Sequence, residues 1–228
     1  MALQLPADKT ALSVLRRWFG ACYDDGFAAA SLVASDKLWW GIRHPPGGGP
    51  PTPVPQDEKR RTDKALADEF GGVIAQAKKG ELDAWRDDGS RGTLAWIILC
   101  DQMSRNAYRG TAEAFAMDDR TPDWTLGLMQ KWGDLHPIEK MFALLPLEHS
   151  ENPRHHDACL RAFDQLCHDT RDAPPYIRGR VALGAKHAKD HADVVRQWGR
   201  YPHRNAILGR QSTPQELAFL ETATSWGQ

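Results

Sequence analysis

The chain lacks most of the features that announce a compartment or a chemistry. Its four cysteines (Cys22, Cys100, Cys159, Cys167) include no CxxC pair. Cys159 and Cys167 fall about two turns apart on one expected helix, beyond the reach of a disulfide. That excludes a disulfide framework and a zinc knuckle, and it fits a reducing compartment. No long apolar run exists either. The longest, Leu94 to Cys100, falls far short of the ~20 residues that a membrane-spanning helix needs. The N-terminal residues show no basic segment followed by an apolar stretch, so no signal peptide is expected and the cytoplasm is the expected location. A charge surplus is missing as well: 29 Lys and Arg stand against 30 Asp and Glu, for a net charge of −1. Neither bulk nucleic acid nor an anionic membrane is an expected partner for such a balance. No GxxxxGK[ST] or GxGxxG precedes a helix, and the GGG at 47–49 lies in a proline tract, so nucleotide-binding folds are excluded. Convincing strand alternation is absent too.

What is present is helical punctuation. The 41% hydrophobic content, with nine Trp and seven Phe, suffices for a substantial core. Residues 10–19 place Leu12, Leu15 and Phe19 at helical spacing before Gly20, and 25–40 form a second helix. The stretch 41–56 (GIRHPPGGGPPTPVPQ) holds six prolines and four glycines and reads as a long surface loop, a tolerated insertion rather than a functional flap. A charged helix follows from Asp57 toward Lys79, with an interruption expected at Gly71-Gly72. Residues 92–104 are apolar on every face until Asp101, which marks a buried helix. Further helices are expected from Thr121-Pro122 to Gly133 and over 137–145, 153–170 and 174–198. The last opens at Thr213-Pro214-Gln215-Glu216, a capping box with Pro at the first helical position. The expectation is an all-α fold: a single domain, 1–228, of about eight to ten helices.

Three motifs concentrate the polar chemistry. The first is DQMSRNAYRGTAEAF (101–115). It starts where the buried helix is expected to end, which puts Asp101, Gln102, Arg105, Asn106 and Arg109 at the mouth of a core. Asp101 and Arg105 are four apart and can pair on one face. The plainer reading is a helix C-terminus in which Arg complements the dipole and Asn106 or Gly110 ends the helix. The second is PLEHSE (146–151). Glu148 or Glu151 beside His149 suits a general base with an orienting partner, or metal ligation. The alternative is an N-cap for the next helix, with Ser150 capping and Pro153 in the first turn.

The third motif is HAKDHADVVRQWGRYPHRNAILGR (187–210). His187 and His191 share a face, but Ala188 stands where a zinc HExxH motif has glutamate. From 196 to 210 the chain carries Arg196, Arg200, Arg204, Arg210 and His203 without one acid. Gly199 and Pro202 break the helix, so Arg200, His203, Arg204 and Asn205 are expected on a tight turn able to converge on one point. Guanidinium forks match carboxylate or phosphate oxygens. The competing reading pairs these arginines with the acids of PLEHSE and with Asp101 as a structural network.

With these motifs the chain resembles the bacterial "domain of unknown function 924" family. The resemblance runs from Trp18-Phe19-Gly20 to Phe219-Leu220 and rests on DQMSRNAYRGTAEAFAMD (101–118), on PLEHSE, and on His191 with GRYPHRNAILGR (199–210) and STPQE (212–216). It implies stacked helical hairpins similar to tetratricopeptide repeats, and it brings no activity with it. The loop at 41–56 is longer than the family's usual connection, and His187 lies outside the family pattern.

Three functions compete on these residues. The leading one is a small-molecule site. Asp101, Gln102, Arg105, Asn106, Arg109, Arg200, Arg204 and Asn205 would hold an anionic phosphate or carboxylate ligand. Glu148, His149, His191 and His203 would move protons, in a hydrolase or group transferase. No nucleophile is evident, since Ser150 lacks a strand-to-helix elbow and no cysteine sits in an electropositive motif. The second is a protein-interaction module that clamps a peptide carboxylate. The third is a metal-dependent oxidoreductase on Glu148, His149, His191 and Asp101. No motif specifies a cofactor.

Overall fold

The computed structural model describes residues 10–45 and 49–222. The segment on which the absence of a signal peptide was read, and residues 46–48 of the proline-rich loop, lie wholly or partly outside them. The fold is all-α, with one two-stranded ribbon as the exception among the described residues. Its packing divides into two compact units, with the boundary between Ala107 and Tyr108. Among the described residues no helix is long and apolar enough to cross a membrane.

In the first unit, α1 (Ala11–Phe19) is closed at its start by a reciprocal Thr10–Ser13 capping box and at its end by Gly20, whose φ of 56° only glycine adopts without strain. Its buried face is Val14, Leu15, Trp18 and Phe19, while Leu12, expected inside, is 43% exposed. Next come α2 (Ala21–Asp24) and α3 (Ala29–Trp39). Trp39 crosses back to donate its indole N–H to the Trp18 carbonyl at 2.9 Å. The proline-rich loop contains a minimal hairpin, β1 (Ile42–Arg43) with β2 (Thr52–Pro53), antiparallel.

Helix α4 (Gln56–Lys78) runs without a break through Gly71-Gly72, contrary to the expected interruption. Leu66, Phe70, Val73, Ile74 and Ala77 form one buried stripe along it. Burying that stripe outweighs the ~1 kcal/mol that each glycine costs a helix. Next, α5 (Gly89–Ile97), a π turn (Ile98–Met103) and α6 (Ser104–Ala107) form one continuous helical rod. Gly92 is obligatory there, because a Cβ would lie 2.4 Å from the Trp85 carbonyl oxygen. Helix α1 packs on α5, and α4 packs on the π turn and α6.

In the second unit, α7 (Thr121–Met129) ends four residues before Gly133. Then α8 (Pro137–His149), α9 (Pro153–Asp169) and α10 (Pro175–Trp198) pack together, α10 against both of the others. Each opens on proline, whose missing N–H has no helical partner to lose at that position. Helix α8 passes through Pro146 rather than stopping before it as expected. The helices approach closely at Gly184 of α10, where a Cβ would sit 2.9 Å from the Phe163 ring and 3.2 Å from Met141. The unit closes with α11 (Pro214–Leu220), started by the Thr213–Glu216 capping box as expected.

Candidate functional site

The first motif lies inside the first unit. Because the rod does not end at Asp101, the carboxyl group is carried into the interior: Asp101 is 1% exposed and Arg105 3%. Arg105 donates to Asp101 Oδ1 through Nε at 3.3 Å and Nη2 at 3.2 Å, and Gln102 donates to Oδ2 at 2.6 Å. The two side chains bond each other across one helical turn, in the interior rather than at a mouth. Asn106 is half-buried at the end of the rod, and Arg109, also half-buried, falls in the second unit.

The second and third motifs meet in the second unit, around Tyr201. Gly199, with φ 70°, ends α10 and turns the chain back, and a 3-10 turn over Pro202–Arg204 follows. That reversal buries Tyr201 completely. Its hydroxyl donates to the Glu148 carbonyl at the end of α8. Its N–H donates to the Glu151 carboxylate at 2.8 Å, and its carbonyl accepts from Arg210 at 3.1 Å. Tyr201 therefore couples PLEHSE to GRYPHRN. Ser150 caps the C-terminus of α8, and Asn152 provides the N-cap of α9, accepting from the Arg154 N–H at 3.0 Å. The expected Ser150 N-cap is thus corrected: α8 runs on to His149, so the N-cap of the next helix falls two residues after Ser150, at Asn152.

Imidazoles surround the tyrosine. His191 is 5.8 Å from the Tyr201 ring, His203 5.5 Å, His156 6.3 Å, and His149 lies 6.1 Å from His191. The Arg204 guanidinium stacks 4.3 Å from Tyr201 and 4.9 Å from Phe115. It donates to Asp118 at 3.1 Å and to the His149 carbonyl at 2.8 Å. His149 and His203 are half-buried, whereas His191 and Arg204 are buried.

The electrostatics follow from burial. Desolvation lowers the His191 pKa to about 3, and positive charge at His149 and Arg204 adds to it. A Glu148 oxygen 3.7 Å from its Nδ1 does not reverse this, so His191 is neutral near pH 7. Nδ1 donates to the His187 carbonyl at 2.9 Å, leaving the lone pair on Nε2. Burial likewise lowers His156, whose Nε2 donates to the Ser150 carbonyl at 2.7 Å. For Glu151 burial works to raise the pKa. The Arg210 fork (2.6 and 2.9 Å) and the Tyr201 N–H outweigh it and hold the group low.

The acid-free run of arginines turns out to be neutralised from a distance. Arg196 reaches Asp157, Arg200 holds Glu216 in a two-pronged bond (2.7 and 2.8 Å), Arg204 takes Asp118, and Arg210 takes Glu151. The four are distributed over four acids and do not converge on one point. Asn205 joins the Glu216 group, donating to Ser212 at 3.1 Å and Glu216 at 3.4 Å. Arg200 and the Thr213 N–H hold Glu216 at a pKa of about 2. Among the described residues no three His, Cys, Asp or Glu side chains are grouped to hold a metal ion.

Tyr201, Asp118, His156 and Glu216 were not singled out as site residues in the sequence. For Asp118 the available signal was its place at the end of the 101–118 motif, and for Tyr201 its place between two arginines.

The model of a family described as bacterial protein of unknown function, DUF924, matches residues 14–224. The chain belongs to that family. A solved structure of a protein of unknown function from Agrobacterium tumefaciens, ATU0120, is 30% identical. It superposes with a TM-score of 0.57 over 72% of this chain and 86% of its own. A comparison with curated proteins finds no match.

Proposed function

We propose that the histidine cluster around Tyr201 is an acid–base site for a small ligand bearing a phosphate or carboxylate group. The observation that carries this reading is the gathering of His191 and His203 on one buried ring, with His149 against His191 and the Arg204 cation stacked on the ring. The groups that meet the ligand are the half-buried His149 and His203. Arg204 is the buried cation behind them, and neutral His191 presents its Nε2 lone pair as a hydrogen-bond acceptor. Arg200 and Asn205 belong to the Glu216 group and anchor α11. Within the first unit, Asp101, Gln102 and Arg105 act as an interior brace of the helical rod.

The reaction class that suits the cluster is hydrolysis or group transfer on a phosphorylated or carboxylated metabolite, one imidazole removing a proton and another returning it. A metalloenzyme on Glu148, His149 and His191 has less geometric support, since among the described residues no three His, Cys, Asp or Glu side chains are grouped to hold a metal ion.

The test is a titration of the protein with inorganic phosphate, followed through the histidine ring C–H resonances. The His149 and His203 signals are expected to shift and saturate. His203→Gln is expected to weaken binding about tenfold, or ~1.4 kcal/mol, with an unchanged Tm. Phosphate that leaves both rings unmoved refutes the reading.

A further inference from the structure

A concavity chemically different from the histidine cluster lies in the same unit. A groove of about 420 Å³ runs between α7, α8 and α9, within the ~300–1,000 Å³ typical of small-molecule sites. Its floor is apolar and adaptable: Leu126 and Met129 of α7 are half-buried with their faces toward it, and Leu166 of α9 lies behind them. None of its lining residues belongs to the histidine cluster.

The rim is what gives the groove a preference. Lys140 holds its ammonium 5.7 Å from the centre of the Trp132 ring, a geometry that fixes the cation beside an aromatic wall. Arg161, one turn before Gln165 on α9, is exposed and makes no side-chain hydrogen bond or ion pair among the described residues. It stands in contrast to the four paired arginines of 196–210. The one acid of the rim, Asp169, is engaged along its own helix by Gln165 at 2.7 Å and by His168 at 3.5 Å. Two cations and one occupied carboxylate around an apolar floor leave a positive edge beside a greasy surface.

We propose that this groove binds an organic monoanion in which a flat aromatic body carries one carboxylate. The ring lies on Leu126, Met129 and Leu166 against Trp132. The carboxylate meets the Arg161 fork, which matches two oxygens, with the Lys140 ammonium as a second point charge. Thioether adaptability at Met129 favours a class of ring over one rigid ligand.

The probe is 2-naphthoate, with 2-naphthalenemethanol as its neutral counterpart, titrated into the full chain and followed by amide NMR shifts. Naphthoate is expected to give saturable shifts at 126–132 and 161–169, and to bind about tenfold more tightly than the alcohol. In the Lys140→Gln, Arg161→Gln double variant, both positions being at the rim, the two probes are expected to bind equally with an unchanged Tm. Equal affinity for both probes in the parent chain overturns the proposal. So do shifts confined to the histidine cluster. An absence of shifts together with a dimer in sedimentation also overturns it, by assigning the groove to a second copy of the chain.

Discussion

Lowering the pH from 7 to 5 should destabilise this protein through His191 more than through any carboxylate. His191 is 7% exposed and its folded-state pKa is about 3, against about 6.5 for an unfolded histidine. The unfolded chain therefore takes up a proton that the folded chain refuses. Stability is intact above pH 6.5 and declines as the pH falls from there toward 3. Integrated from pH 7 to pH 5, that one group accounts for about 2 kcal/mol of lost stability. The depressed carboxylates do not contribute in this window. Glu216 and Glu151 lose their stabilisation only as the pH falls through the unfolded value of about 4.5 and below.

The assay is urea unfolding at pH 7 and pH 5, for the parent chain and for His191→Asn. Asparagine places an amide nitrogen near the position of Nδ1 and can keep the bond to the His187 carbonyl. Its cavity and propensity costs are independent of pH and cancel in the comparison. The parent is expected to lose about 2 kcal/mol more than the variant between the two pH values. The contributions of the other depressed histidines, His136, His155, His156 and His187, are common to both proteins. Equal losses in both would refute the claim that a buried, neutral His191 sets the acid sensitivity.

Two further outcomes follow from the same structure. Below pH 4.5 the Glu216 carboxylate begins to lose its contribution, fully so near its folded pKa of about 2. The amide signals of α11 should therefore shift toward unfolded values in that window, and in Glu216→Gln the same signals should be displaced at neutral pH, with Arg200 having lost its fork. Gly184→Ala should cost about 1–3 kcal/mol in urea unfolding, because its methyl meets the Phe163 ring and Met141 inside a close helix approach.

The architecture was largely legible in the sequence because helix starts are encoded locally. The Thr213–Glu216 box and the prolines opening α8 to α11 mark where N–H groups need no partner, and the structure begins those helices there. Helix ends and interruptions were less legible, because packing decides them. Gly71-Gly72 sits in a helix that the Phe70–Val73–Ile74 face holds together, and Pro146 is carried inside α8 by neighbours buried on every side.

The candidate site was legible as a meeting of PLEHSE with GRYPHRN. The destination of its arginines was not, because the partners are tertiary. Arg204 reaches back 86 positions to Asp118, and Arg210 reaches back 59 to Glu151. A local charge excess records where cations stand and is silent on which distant acids fold onto them. Asp101 was placed at a core mouth because a polar residue after an apolar run usually marks a helix end. Here the run continues through a π turn, and the carboxyl finds its guanidinium one turn further on.

That π turn has a consequence for how the segment can change over generations. A π turn accommodates one residue more than an α-helix of the same span. Losing a single codon between Ile98 and Met103 would let the rod relax to regular α pitch over the same span, and the helices on either side would keep their relative phase. The change would be confined to the turn itself, where Asp101 meets Arg105 and Gln102. A deletion in the regular helix on either side has no extra residue to give up and would turn everything after it by about 100°. The tolerance of this segment to a lost residue is therefore concentrated in the π turn.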